Sequence, residues 1–126
     1  MTTTISSTAQ IAHRLVEYCR RGEYLEAQRE LFSPDAVSVE PEGTPNSVTR
    51  GLPAIAQKTK MFEETFEAHG GSISDPVVAD PFFACTMSLD VTERKSGHKM
   101  TLSEVCVYEV RDGRIVREQF FYQPHP

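Results

Sequence analysis

The sequence predicts an α+β fold in which three helices are packed on one curved antiparallel sheet. Three observations predict it. The first third carries apolar residues at helical spacing, with a capping signal at its start. The last half alternates in the manner of strands, rich in β-branched and aromatic residues. And Asp112-Gly113 sits between two such runs, a strong hairpin signal.

Ser7-Thr8-Ala9-Gln10 fits a capping box, and Ile11, Leu15, Tyr18 and Cys19 then repeat along one helical face until Gly22. A second helix is expected from Glu23 to Phe32, stopped by Ser33-Pro34-Asp35. Val37 and Val39 mark a short strand that closes at Pro41, and the Gly/Thr/Pro/Asn/Ser-rich stretch 42–50 reads as a loop. Gly51-Leu52-Pro53 opens a third helix with the stripe Ile55, Thr59, Phe62 and Phe66, Met61 beside it, and an end near His69-Gly70-Gly71. Four strands should follow: about 72–79, 82–94, and the two arms of the hairpin, Met100 to Val110 and Ile115 to Tyr122. Helices before a meander imply helices covering one sheet face. All 126 residues fit one domain, with 1–6 as a flexible tail.

Composition excludes several classes of function. A net charge of −5 without a basic cluster disfavours nucleic acid. No apolar run approaches the roughly 20 residues of a membrane helix, and the Thr/Ser-rich start is not a signal peptide. Cys19, Cys85 and Cys106 are odd in number and far apart, and read as buried reduced thiols of a cytoplasmic protein. None of His13, His69, His98 or His125 has a partner at metal-ligand spacing, so no metal is expected. The Gly70-Gly71 pair lacks a phosphate-loop pattern, and no cofactor is expected. No Ser or Cys partner by spacing supports a hydrolytic triad.

A two-residue Asp112-Gly113 loop sets Val110 opposite Ile115, Tyr108 opposite Arg117, Cys106 opposite Gln119 and Glu104 opposite Phe121, all on one face. Through the Ser96-Gly97 turn, Leu89 falls beside Glu104 and Met87 beside Cys106. The other face carries Val105, Val107, Val116, Phe120 and Tyr122, interrupted by Glu109 and Glu118. Neither face is cleanly polar, so helices should cover one and a second copy, in a homodimer, the other. Glu104 among Met87, Leu89, Cys106 and Phe121 would be desolvated and suited to proton transfer. The plain alternative pairs it with Arg117, Lys99 or a helix side chain, or leaves it in water at the sheet edge. Glu40, at the end of the first strand, is either a second acid at a cavity rim or an exposed loop residue. Tyr18 offers a hydroxyl to a ligand or is core. Phe62, Phe66, Phe83 and Met61 read most economically as core.

Three stretches carry a family likeness: Val16-Glu17-Tyr18-Cys19-Arg20-Arg21-Gly22-Glu23-Tyr24 through Leu31-Phe32-Ser33-Pro34-Asp35-Ala36; Val39-Glu40-Pro41-Glu42-Gly43 with Arg50-Gly51-Leu52-Pro53-Ala54-Ile55; and Tyr108-Glu109-Val110-Arg111-Asp112-Gly113-Arg114-Ile115-Val116. In this order the chain resembles the SnoaL-like (polyketide-cyclase-like, ketosteroid-isomerase-like) branch of the nuclear-transport-factor-2-like superfamily. The resemblance implies a conical, cystatin-like roll around an apolar cavity, often dimeric through the sheet. It implies a small hydrophobic ligand and cofactor-free isomerase, cyclase or dehydratase chemistry, or else a non-catalytic ligand-binding or structural module. Glu40 falls at the isomerase branch's general base. The place of its helix tyrosine is taken by Leu15, with Tyr18 a turn away. The place of its second donor, an acid, is taken by Cys106, with Glu104 two residues earlier. Without donors aimed at a developing enolate, steroid isomerisation is not expected. Glu40 and Glu104 are the expected catalytic pair. Tyr18, Leu15, Met61, Phe62, Phe83, Met87, Cys106, Gln119 and Phe121 are the expected ligand contacts.

Overall fold

The structure, a computed structural model, describes residues 6–123. Most of the expected N-terminal tail, and His125, lie outside the described residues. In chain order the elements are α1 (Thr8–Arg20), α2 (Tyr24–Leu31), β1 (Phe32–Val39), β2 (Val48–Arg50), α3 (Leu52–Thr65), β3 (Phe66–Ile73), β4 (Val77–Ala79), β5 (Phe82–Glu93), β6 (Lys99–Arg111) and β7 (Arg114–Phe121).

The helix starts are explained by local chemistry. Ser7 Oγ accepts from the Gln10 backbone N–H at 3.1 Å while Gln10 Oε1 accepts from Ser7 N at 2.8 Å, the expected capping box. Gly22, at φ 72°, ends α1 by letting Glu23 N–H reach back to the Tyr18 carbonyl. The third helix stops sooner than its periodicity suggests. Phe66 is already extended, and His69-Gly70-Gly71 lie inside β3 rather than capping a helix. Gly70 sits at a register irregularity with φ 136°, and a Cβ on Gly71 would come 2.0 Å from the Ser88 carbonyl oxygen. The glycine pair therefore serves a close strand crossing, not a helix end.

The strands run β2-β1-β7-β6-β5-β3, with β4 on β5. The sheet is mixed, because β1 runs parallel to β7. Residues expected in a loop at 48–50 form β2 against β1, and the strand expected over 72–79 divides into β3 and β4 around Pro76. Helices α1 and α3 lie on one face of this sheet. They close a core built of Ile11, Leu15, Val16, Ile55, Phe83, Cys106, Tyr108 and Ile115. Phe83 and Tyr108 are register partners with rings stacked 4.7 Å apart. All three cysteines are buried and free.

The Asp112-Gly113 turn is present, with φ of 52° and 74°, both positive as a type I′ turn requires. Val110 pairs with Ile115 as expected. One step further on, the register shifts between Glu109 and Val110, and Val116 becomes an extra residue on β7. From there on the pairs are Tyr108 with Glu118, Cys106 with Phe120 and Val105 with Phe121. The expected pairings of Tyr108 with Arg117, Cys106 with Gln119 and Glu104 with Phe121 are thus off by one. A one-residue slip exchanges the two faces of a strand. Glu118, Phe120 and Tyr122 turn toward the helices, and Gln119 and Phe121 turn away. On the other side, Met87 pairs with Glu104 and Cys85 with Cys106, two residues along from expectation but on the expected face.

Candidate functional site

The helix-covered face gathers acids that are far apart in sequence. Ser38 and Glu118 are register partners across the parallel β1–β7 pair and are 0% and 6% exposed. Glu40 follows two residues after Ser38, on the same side of the chain. On β6, Glu104 and Cys106 alternate along that face. Lys58 descends from α3, one turn after the fully buried Ile55.

Lys58 holds the cluster together. Its Nζ donates to Glu40 Oε2 at 2.9 Å and to Ser38 Oγ at 2.6 Å, and lies 5.5 Å from the centre of the Phe120 ring. The Tyr122 hydroxyl donates to Glu40 Oε1 at 2.7 Å, so both Glu40 oxygens are engaged. Ser38, the register partner of Glu118, sits beside that carboxyl and favours its ionised form. Of the three carboxyls only Glu40 contacts the ammonium; Glu104 and Glu118 feel its charge at longer range. Electrostatics follow from that imbalance. Burial, reinforced by the charge of Glu40, pushes the Glu104 carboxyl up to about 7, against the opposing hydrogen bond from the Cys106 thiol. Burial likewise pushes Glu118 up to about 7, although Ser38 and Lys58 pull the other way. Among the described residues, no Lys, Arg or His nitrogen lies within 4.0 Å of the Glu104 or Glu118 carboxylate.

A cavity of about 710 Å³ is lined by the end of α1, the start of α2, the end of α3, β3 and the middle of β5; Glu40, Glu104, Glu118 and Lys58 are not among its lining residues. Met87, the register partner of Glu104, forms part of its wall. So does Tyr24, whose hydroxyl is raised to about 12, first by burial and then by charges including Glu104. Tyr24 is therefore a neutral hydrogen-bond donor at any physiological pH. Among the described residues no group of three or more His, Cys, Asp or Glu is arranged to hold a metal ion.

The profile of the SnoaL-like domain matches residues 6–122. The chain belongs to this SnoaL-like family. Among solved structures, a Mesorhizobium loti protein provisionally described as a SnoaL-like polyketide cyclase is 33% identical, with a TM-score of 0.88 over 93% of this chain and all of its own. A Burkholderia pseudomallei protein described as NTF2-like and of unknown function is 17% identical, with a TM-score of 0.78 over 94% of this chain and 92% of its own. A Xanthomonas campestris protein with a cystatin-like fold is 20% identical, with a TM-score of 0.73 over 92% and 90%. The last two speak for the fold alone. None of the curated proteins compared with the chain matches it.

On this SnoaL-like scaffold the expected site residues scatter. Glu40 and Glu104 come to one face, close enough for the charge of one to raise the other. Met87 and Phe62 line the cavity, while Cys106 is fully buried beneath Glu104. Leu15 and Phe83 are core, at 3% and 1% exposure, and Met61 faces outward at 56%. The Tyr18 ring is overlaid by Arg21 and its phenol pKa is raised by the neighbouring Glu30, not by Glu40 or Glu104. The bulge sends Gln119 and Phe121 to the opposite face, where Gln119 accepts from Arg117. Sequence reasoning did not single out Lys58, Ser38, Glu118, Tyr122 or Tyr24 for the site. Lys58 had a readable signal, being a charge three residues after Ile55 within the buried stripe.

Proposed function

We propose that this chain binds a small, largely apolar carbonyl compound in the cavity beneath its helices and moves a proton to and from it with Glu104, without a cofactor. One observation carries the reading. Glu104 stands half-buried beside the cavity-wall residue Met87, its pKa pushed up to about 7, with no cation in salt-bridge reach among the described residues. Such a carboxyl is shared between its acid and base forms near neutrality, the condition for taking a proton from carbon and returning it elsewhere. Tyr24 supplies a neutral hydroxyl to the oxygen on which charge develops. Glu40, fixed by Lys58 and Tyr122, acts at a distance by keeping the proton affinity of Glu104 high. An isomerisation or ring closure that begins with proton loss beside a carbonyl suits this set. The provisional description of the 33%-identical relative as a polyketide cyclase points the same way.

Incubating cyclic ketones with the protein in D₂O tests this. Exchange at the carbon next to the carbonyl should be accelerated, rise with pH through about 7, and fall by about 10²–10⁴-fold in Glu104→Gln. A ketone panel exchanged equally by wild type and variant would remove the catalytic reading.

A second reading, a dimeric binding module without catalysis, is favoured by the engagement of both oxygens of Glu40, which the resemblance sets at the isomerase branch's general base. In either reading a second copy would cover the face turned away from the helices, where Phe82, Val105 and Phe121 are 47%, 42% and 49% exposed. Three buried thiols fit a reducing compartment such as the cytoplasm.

A further inference from the structure

We infer that the cavity takes an apolar molecule bearing a carboxylate, and that Arg94 at its mouth is the anion anchor; this rests on the reading of the cavity as a small-molecule site. The chain is acidic overall, yet three arginines line the cavity, Arg20, Arg21 and Arg94, against the single acid Glu63. Two of the three are already neutralised. Arg20 pairs with Asp75 at 3.0 Å, and Arg21 pairs with Glu17 and Glu23.

Arg94 differs. No carboxylate oxygen lies within 4.0 Å of its guanidinium among the described residues. Its backbone N–H reaches the Thr65 carbonyl at 2.9 Å and its Nε donates to the Glu63 carbonyl at 3.2 Å. These bonds tie the side chain to the last turn of α3 and leave its two terminal amino groups, a planar fork that matches a carboxylate. Beside that turn, the Phe62 and Phe66 rings lie 4.9 Å apart on the cavity wall, with Met87 and Leu89 across from them on β5.

Orientation follows from charge. Of Glu40, Glu104 and Glu118 only Glu40 contacts a lysine, so the sheet end of the site repels an anion. A carboxylate is stable only at the arginine-lined mouth, with the apolar body pointing inward past Phe62 toward Met87 and Glu104. An Arg94 that served only to cap α3 would hold the helix end through Nε and show no preference among ligands.

Binding of 2-naphthylacetate and its uncharged isostere 2-naphthylacetamide separates these roles, read from the Leu89 methyl NMR signals on the cavity wall. Wild type should bind the acetate about tenfold more tightly at low salt, a preference that narrows in 0.5 M salt. Arg94→Gln should bind both at the level of the amide, and Arg94→Lys should retain part of the preference. Equal affinities in wild type, or a preference that survives in Arg94→Gln, would overturn the anion assignment and leave the cavity reading standing. Binding of neither compound would overturn both. The wild-type comparison holds whether or not the variants fold.

Discussion

Lys58→Met is expected to destabilise the protein by about 2–4 kcal/mol at pH 8. Among the described residues the lysine is the one cation in salt-bridge contact with the acid cluster, through Glu40, and removing one partner of a buried pair strands the charge of the other. Methionine keeps the stem that packs near Phe120, so the loss reports charge rather than packing. Side-chain exposures of 32% for Lys58 and 17% for Glu40 place the figure below that of a fully buried pair. At pH 5 the carboxyls of Glu104 and Glu118 hold protons and need less compensation, so the loss should shrink. Urea denaturation at the two pH values checks this; an equal loss at both would mean that Lys58 acts only through Glu40.

The pH dependence of stability should run opposite to that of an ordinary ion-paired acid. Glu104 and Glu118 sit at about 7 in the fold against 4.5 for a free glutamate, so the native state binds their protons more tightly than the unfolded chain. Below about 4.5 both states are protonated and the difference vanishes. Between there and about 7 the unfolded chain releases protons that the fold retains, and stability falls as pH rises. Above about 7 the loss is complete. For Glu118 it amounts to roughly 3 kcal/mol. Other carboxylates contribute slopes of their own, so the quantity to follow is Glu118→Gln minus wild type. That difference should be near zero at pH 4.5 and reach roughly 3 kcal/mol in favour of the variant at pH 8. A difference that does not change with pH would remove Glu118 from the cluster's proton inventory.

The parts of the fold written in local chemistry were legible before any coordinates. Ser7 and Gln10 announce the first helix, and Asp112-Gly113 announces the hairpin, because a cap and a type I′ turn each demand particular residues. The bulge at Val116 was not legible. Any strand residue can serve there, and the run Phe120-Phe121-Tyr122 is aromatic on both faces, so alternation gave no warning that the register had slipped. That slip decided which side chains share the face of the candidate site. It removed Gln119 and Phe121 and brought in Glu118 and Tyr122. The end of α3 was misplaced for a related reason: Phe66 continues the helical stripe in spacing while its backbone has turned extended to pair with Glu93. Glu40 and Glu104 were foreseeable because each is an acid on an apolar strand. Their meeting depends on the parallel β1–β7 pairing, which links residues some 80 apart in sequence, and the lysine between Glu40 and Ser38 depends on how α3 packs over β1; neither leaves a local trace.

Carboxyl ¹³C NMR titration of Glu104, assigned by comparison with Glu104→Gln, reads the proton affinity of this residue in the folded protein. A midpoint near 7 is expected, moving upward in Lys58→Met as the nearby positive charge is lost. A midpoint near the 4.5 of a free glutamate would contradict the claim that this residue is held ready to exchange a proton at neutral pH.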